Sequence, residues 1–217
     1  MPITAEFLNY DDVVKKLHDV TRGGAMACRE TMLDMGARRK GGAARVITDQ
    51  QIRKVYNINQ ADVNAKLKGY RETGSQNVEG VSIPSFVVEF EQRGTYTPAH
   101  FGMKMSGRGK NKTPTWKPFK AGGQIPLKSS KGFPVFIAAP KGVALPWARL
   151  QQASWYKTSP GGGYRGTGWK HAPVEVIHTH LSVPQMADNE KVDPNKRTEI
   201  DKRMEKRLEY HLKRFIK

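Results

Sequence analysis

Cysteine is nearly absent: Cys28 is the only one in 217 residues. An intrachain disulfide and a cysteine-rich zinc site are therefore excluded, and folding in a reducing compartment is expected. No apolar run approaches the length of a membrane span. The opening Met1-Pro-Ile-Thr-Ala-Glu6 lacks the basic and apolar blocks of a signal peptide, so a soluble protein made in the cytosol is expected. Acidic residues are missing where they matter most. Between Gln92 and Val174 there are 14 Lys/Arg and no Asp or Glu, whereas 13 face 12 in residues 1–91 and 10 face 8 in residues 175–217. Nearly all of the net charge of +17 thus sits in the middle of the chain. A field of one sign suits a polyanion or an acidic protein surface.

The usual catalytic signatures are also missing. The sequence has no P-loop, no Gly-x-Ser-x-Gly and no His-Glu-x-x-His. His178 and His180 have the spacing to share one face of a strand and a metal, but no third ligand accompanies them at fixed spacing. Gly161-Gly162-Gly163 suits close approach to a phosphate but lacks a strand-to-helix context. The expectation is a protein without catalytic residues, metal or cofactor.

The C-terminal stretch carries the strongest pattern. Pro173 to Pro184 reads as a strand, followed by a turn through Gln185-Met186. Asp193 as N-cap and Pro194 at the first helical position predict a helix to the end of the chain. Ile200, Met204, Leu208 and Leu212, extended by Phe215 and Ile216, form its apolar stripe. Glu199→Arg203 and Glu209→Lys213 are acid-before-base pairs at helical spacing.

The N-terminal part reads as helical. Asp11 or Asp12 caps a first helix with Val13, Val14, Leu17 and Val20 on one face. A second follows Gly23-Gly24, with Ala25, Cys28, Met32 and Met35 inward; Cys28 there reads as a small buried hydrophobe. Arg38-Arg39-Lys40 suits the negative pole at that helix's end, and Gly41-Gly42 a hinge or stop. Thr48-Asp-Gln-Gln51 resembles a capping box leading to Ile52 and Val55. Asn59 caps a further short helix with Val63 and Leu67 inward. The pair forms a helix-turn-helix-like segment at 48–67, whose reading side chains would be Gln60, Asn64 and Lys66 or Lys68.

Residues 74–80 are small and polar and read as a loop. Beyond Pro84, Phe86, Val88 and Phe90 alternate with Val87, Glu89 and Glu91 as a strand ending at Arg93-Gly94. The stretch 106–131 reads as a basic extended loop or hairpin tip. It supplies the interface or DNA-facing candidates Arg108, Lys110, Lys112, Lys117, Lys120, Lys128 and Lys131, with Trp116, Tyr164 and Trp169 as interleaved aromatics. Pro134–Ala138 and Ser154–Tyr156 are short strand candidates, the latter followed by the flexible turn Ser159–Gly163. The expected class is α+β: N-terminal helices (1–72), a central antiparallel sheet with long basic loops (81–183) and a C-terminal amphipathic helix (193–217), in a single domain spanning 1–217.

The order of these pieces resembles a known family. Ile52-Arg-Lys-Val-Tyr-Asn-Ile58 leads into Asp62–Leu67, then come the strand ending at Arg93-Gly94, Phe133–Ile137, Pro173–Ile177 and Leu181-Ser-Val-Pro-Gln-Met186. This order is similar to the prophage minor tail protein Z family, the tail completion proteins of lambda-like long-tailed phages. The most specific pieces are the motif Ser182, Val183, Pro184, Gln185, Met186 and the Tyr56-Asn-Ile58 stretch. Residues 106–131 and 154–170 are longer than the family pattern. The resemblance implies a structural virion protein of the tail or neck, made in the host cytoplasm, that readies the tail's head-proximal end for head–tail joining. It further implies a homo-oligomeric ring, with a hexamer expected, around the DNA channel. Tail terminator, tail tube or head–neck connector proteins would be its partners, with channel dsDNA a further one, and no membrane is involved. The alternative reading is a non-specific nucleic-acid-binding protein using the segment at 48–67.

Overall fold

A computed structural model describes residues 22–91, 95–107, 112–129, 135–139, 144–149, 156–157, 164–165 and 174–216. The helix expected at 11–20 lies outside them. Helices and antiparallel strands make an α+β fold. The described residues group into two compact units, within Met1–Val55, Asn59–Gly94 and Ser182–Lys217 for the first and Tyr56–Ile58 and Thr95–Leu181 for the second.

The first unit holds the helices. Helix α1, Arg22–Gly36, buries Ala25, Cys28, Met32 and Met35 at the spacing of one helical face. Helix α2 runs Arg38–Val55. Its start corrects two expectations. Arg38-Arg39-Lys40 falls in the first turn of α2, not at the end of α1. Thr48 is no cap: it is buried in mid-helix, where its hydroxyl donates to the Ala44 carbonyl at 2.8 Å. Gly42 takes φ 77° beside Met35, where a Cβ would stand 2.0 Å from the Met35 carbonyl oxygen, so the α1–α2 corner requires glycine.

Helix α3, Gln60–Lys66, begins as expected. Asn59 caps it by accepting from the Asp62 N–H at 2.8 Å, with Val63 and Leu67 buried. It passes directly into strand β1, Leu67–Val78, which pairs antiparallel with β2, Val81–Phe90. Residues 74–80 are thus hairpin and not loop. The helical stretch ends at Lys66, not near residue 72. Glu79 at φ 50° and Gly80 at φ 76° make the tight turn, with the positive φ at both central positions that suits a two-residue hairpin to the right-handed twist of its strands. Strand β2 starts three residues before Pro84, which a two-stranded ribbon tolerates because both strands are edges.

Near the C-terminus, Val183–Ala187 is a short helix, α4, where a turn was expected. Helix α5 spans Asp193–Phe215. It begins one residue earlier than expected. Val192 occupies the cap position, and Asp193 instead binds Lys196 (2.7 Å) and Arg197 (2.6 Å). Ile200 and Met204 are buried and Leu208 is half-buried, but Ile216 ends outside the helix and exposed. One core gathers Cys28, Met32 and Met35 of α1, Ala44 of α2, Val78, Val81, Ile83 and Phe86 of the hairpin, and Ile200 and Met204 of α5.

Cys28 is 3% exposed, and burial pushes its thiol up to about 11 from 9.0. The neutral form is favoured in the fold, so this group's contribution to stability is fully present below pH 9 and is lost as pH rises toward 11. A disulfide-exchange reagent at pH 8 is expected to label unfolded chain readily and folded chain only at the rate of opening. Equal labelling in and out of denaturant would show that the thiol is accessible.

The second unit is built on strands. A 3₁₀ turn, Pro98–Phe101, precedes β3 (Lys104–Ser106), β4 (Thr113–Trp116) and β5 (Ile125–Pro126), which form one sheet in that order. Strands β6 (Val135–Ala138), β7 (Leu145–Arg149) and β10 (Val174–Val176) form another, with β7 central. Strands β8 (Tyr156–Lys157) and β9 (Tyr164–Arg165) pair across the expected Ser159–Gly163 turn, itself outside the described residues. The strand expected over 173–184 is only β10. Beyond it the chain is held beside Tyr96, whose carbonyl accepts from the Thr179 N–H at 2.8 Å and from the Thr179 hydroxyl at 2.6 Å, while the Tyr96 N–H donates to the Leu181 carbonyl at 3.0 Å. Phe101 is fully buried, edge-on to Tyr96 and Trp116, and Leu127, Val135 and Ala148 form a small core beside Trp116.

Candidate interaction surface

The described part of the basic stretch lies in an antiparallel sheet. Ser106 faces Thr113 where β3 pairs with β4, and the Thr115 hydroxyl donates to the Lys104 carbonyl at 3.2 Å. Strands β3 and β5 are the two edges of this sheet, and both expose their residues: Lys104, Met105 and Ser106 on one, Ile125 and Pro126 on the other. Met105 is 43% and Ile125 45% exposed, two of the large apolar side chains left exposed among the described residues. Phe119, also exposed, leans on Tyr56 with ring centroids 5.0 Å apart. Apolar side chains on open edges, set among lysines, are the features of a surface that takes a further chain.

Of the expected basic candidates, Lys112, Lys120 and Lys128 are exposed on this unit. Lys117 is half-buried, its backbone N–H donating to the Phe101 carbonyl. Arg108, Lys110 and Lys131 lie outside the described residues. Trp116 is packed against the small core, so it is not a free stacking platform; Trp169 lies outside the description.

The motif Ser182, Val183, Pro184, Gln185, Met186 is a helix start. Gln185 Oε1 accepts from the Ser182 N–H at 3.0 Å, and Ser182 Oγ accepts from the Gln185 N–H, a reciprocal capping box. Val183 and Met186 are fully buried beneath it. Its specificity is that of a packed corner and not of an exposed contact.

The segment at 48–67 departs from the expected geometry. Its first helix is the last part of the 18-residue α2, and its second has 7 residues. Gln60 is exposed, Asn64 is half-buried with its carbonyl accepting from Arg45, and Lys66 pairs with Glu91 at 3.4 Å. Lys68 sits on β1, off the helix altogether. His178 and His180 lie beyond β10, both exposed. Among the described residues no group of three or more His, Cys, Asp and Glu is placed to hold a metal ion. Among them, too, no helix is long and apolar enough to cross a membrane.

No family model, curated protein or solved structure matches this chain.

Three buried polar groups in the helical unit escaped the sequence reading. His211 Nε2 lies 3.0 Å from Asp34 Oδ2, with Arg207 3.7 Å from the same oxygen, while His211 Nδ1 is buried without a hydrogen-bond partner. Lys196 is buried, donating to the Ala187 carbonyl at 3.1 Å and so tying α4 to α5. Asp49 is buried and takes a two-pronged guanidinium from Arg53. Only the last pair, at four-residue spacing, had a signal in the sequence.

Proposed function

We propose that this chain is a structural subunit of a phage tail or neck that completes the head-proximal end of the tail for head–tail joining, assembling as a ring with no chemistry of its own. The reading rests on the order of segments that resembles the minor tail protein Z family. The observation that supports it in the fold is the basic sheet β3–β4–β5, whose outer strands pair with no further strand among the described residues and carry exposed Met105 and Ile125. Such edges suit contact with a neighbouring subunit or an acidic tail protein, and the basic residues around them suit either that protein or channel DNA.

Met105→Asp with Ile125→Asp is expected to leave folding intact and to block assembly. In a phage carrying the double variant, electron microscopy should find filled heads and separate tails. Normal virions in normal yield would sink the proposal. Replacing Lys112, Lys117, Lys120 and Lys128 by glutamine then separates the two partners. Non-specific DNA binding through about 4–8 phosphates should fall about 10²–10⁴-fold between roughly 50 and 200 mM salt. Weaker DNA binding with intact joining assigns the lysines to DNA. Failed joining with unchanged DNA binding assigns them to a protein interface, which is the outcome favoured here because apolar residues accompany them.

A further inference from the structure

We propose that the groove between α2 and α5 is a docking site for an acidic amphipathic helix of another protein. The site belongs wholly to the helical unit and lies outside the acid-free segment, so it stands independently of the assembly surface above. The groove has a volume of about 760 Å³. Its apolar side comes from Ala43, Val46 and Ile47 of α2, and its cationic side from Arg203, Lys206 and Arg214 of α5, with Tyr210 between them. Val46 is 49% and Tyr210 57% exposed, so apolar surface is presented to solvent along the groove. Residues 203, 206, 210 and 214 follow one another at three- and four-residue spacing, a single stripe along α5.

Charge identifies the occupant. The carboxylates lining the groove are Asp34 and Glu199. Asp34 is engaged by His211 and Arg207, and Glu199 lies 3.5 Å from Lys202. Among the described residues no carboxylate is paired with Arg203, Lys206 or Arg214. A stripe of like charges repels itself until an anionic partner lies along it. A helix with carboxylates at three- and four-residue spacing repeats the stripe's own period, and its apolar face would cover Val46 and Ile47. A phosphodiester backbone satisfies the cations equally but leaves the exposed Val46 without an apolar partner. The groove therefore fits an acidic protein segment better than a nucleic acid.

The test uses the full-length protein and three labelled probes followed by fluorescence anisotropy. They are a helix-forming peptide with leucine on one face and glutamate elsewhere, a polyglutamate peptide of equal length, and a single-stranded oligonucleotide. The amphipathic peptide is expected to bind most tightly. Arg203→Glu with Lys206→Glu should weaken it at least about tenfold, by reversing the charges that face it. Val46→Ser should weaken it about tenfold while leaving polyglutamate unaffected, by removing apolar area from the contact. All three positions are on exposed helix faces, and an unchanged thermal midpoint verifies the fold; Arg203→Gln with Lys206→Gln serves if the reversal unfolds the unit. No binding of the amphipathic peptide, or binding indifferent to Val46→Ser, overturns the proposal. Tighter binding of the oligonucleotide, lost on the same charge reversal, overturns it in favour of nucleic acid.

Discussion

Met204→Asp is expected to destabilise the helical unit severely, at a cost of about 4 kcal/mol or more, the scale for burying an unpaired charge in an apolar core. Met204 is 5% exposed and packs with Ile200 of α5 and the buried methionines of α1. No described cation belongs to that core, so the carboxylate has nothing to pair with. The total stability of a domain is only about 5–15 kcal/mol, so the loss is a large fraction of it. Leu208→Asp, one turn later on the same stripe, should cost distinctly less because Leu208 is half-buried and its carboxylate can reach water. Urea denaturation of the two variants measures the gradient. Equal midpoints for both variants and the parent would show that α5 does not close this core.

Arg53→Met is expected to be nearly as damaging for a different reason. Asp49 is 2% exposed, and its two oxygens accept from Arg53 Nε and Nη2 at 2.7–3.0 Å. That hydrogen bonding raises the already high pKa of the guanidinium, so Arg53 stays charged wherever the protein folds. Removing it leaves a buried carboxylate without its counter-charge, a loss of about 3–5 kcal/mol. The pair as a whole contributes less than its rupture costs, since each ion gave up hydration to enter the fold. The double variant Asp49→Leu with Arg53→Met should therefore recover most of the lost stability. If Arg53→Met alone shifts the denaturation midpoint no further than a surface change does, the carboxylate has another partner or reaches water.

How much was legible depended on whether a feature was local. Helix α1, the Asn59 cap with Val63 and Leu67, β6 and the stripe through Ile200 and Met204 were all readable. In each, the signal lies within about one or two turns of chain, where side-chain period and capping chemistry act. The hairpin β1–β2 was half readable. Its buried strand β2 shows in Phe86, Val87 and Val88, but Gly74-Ser-Gln-Asn77 of β1 is exposed and holds its register through backbone bonds that any residue supplies. The 48–51 capping pattern misled because Thr48 satisfies its hydroxyl against Ala44 inside a helix that continues through it.

The sequence by itself determined the α+β class, the periodic faces of α1 and α5, and the concentration of positive charge in residues 92–174. These follow from composition and from spacings of a few residues. The tertiary structure alone decided which positions become a surface. It joined His211 to Asp34 across 177 residues, packed Trp116, one of the aromatics interleaved in the basic stretch, half-buried against a small core, and brought Val46 and Lys206 to one groove. Such pairings have no local signal, because they are fixed by which apolar faces meet in the core, and the polar residues beside those faces are carried into place with them.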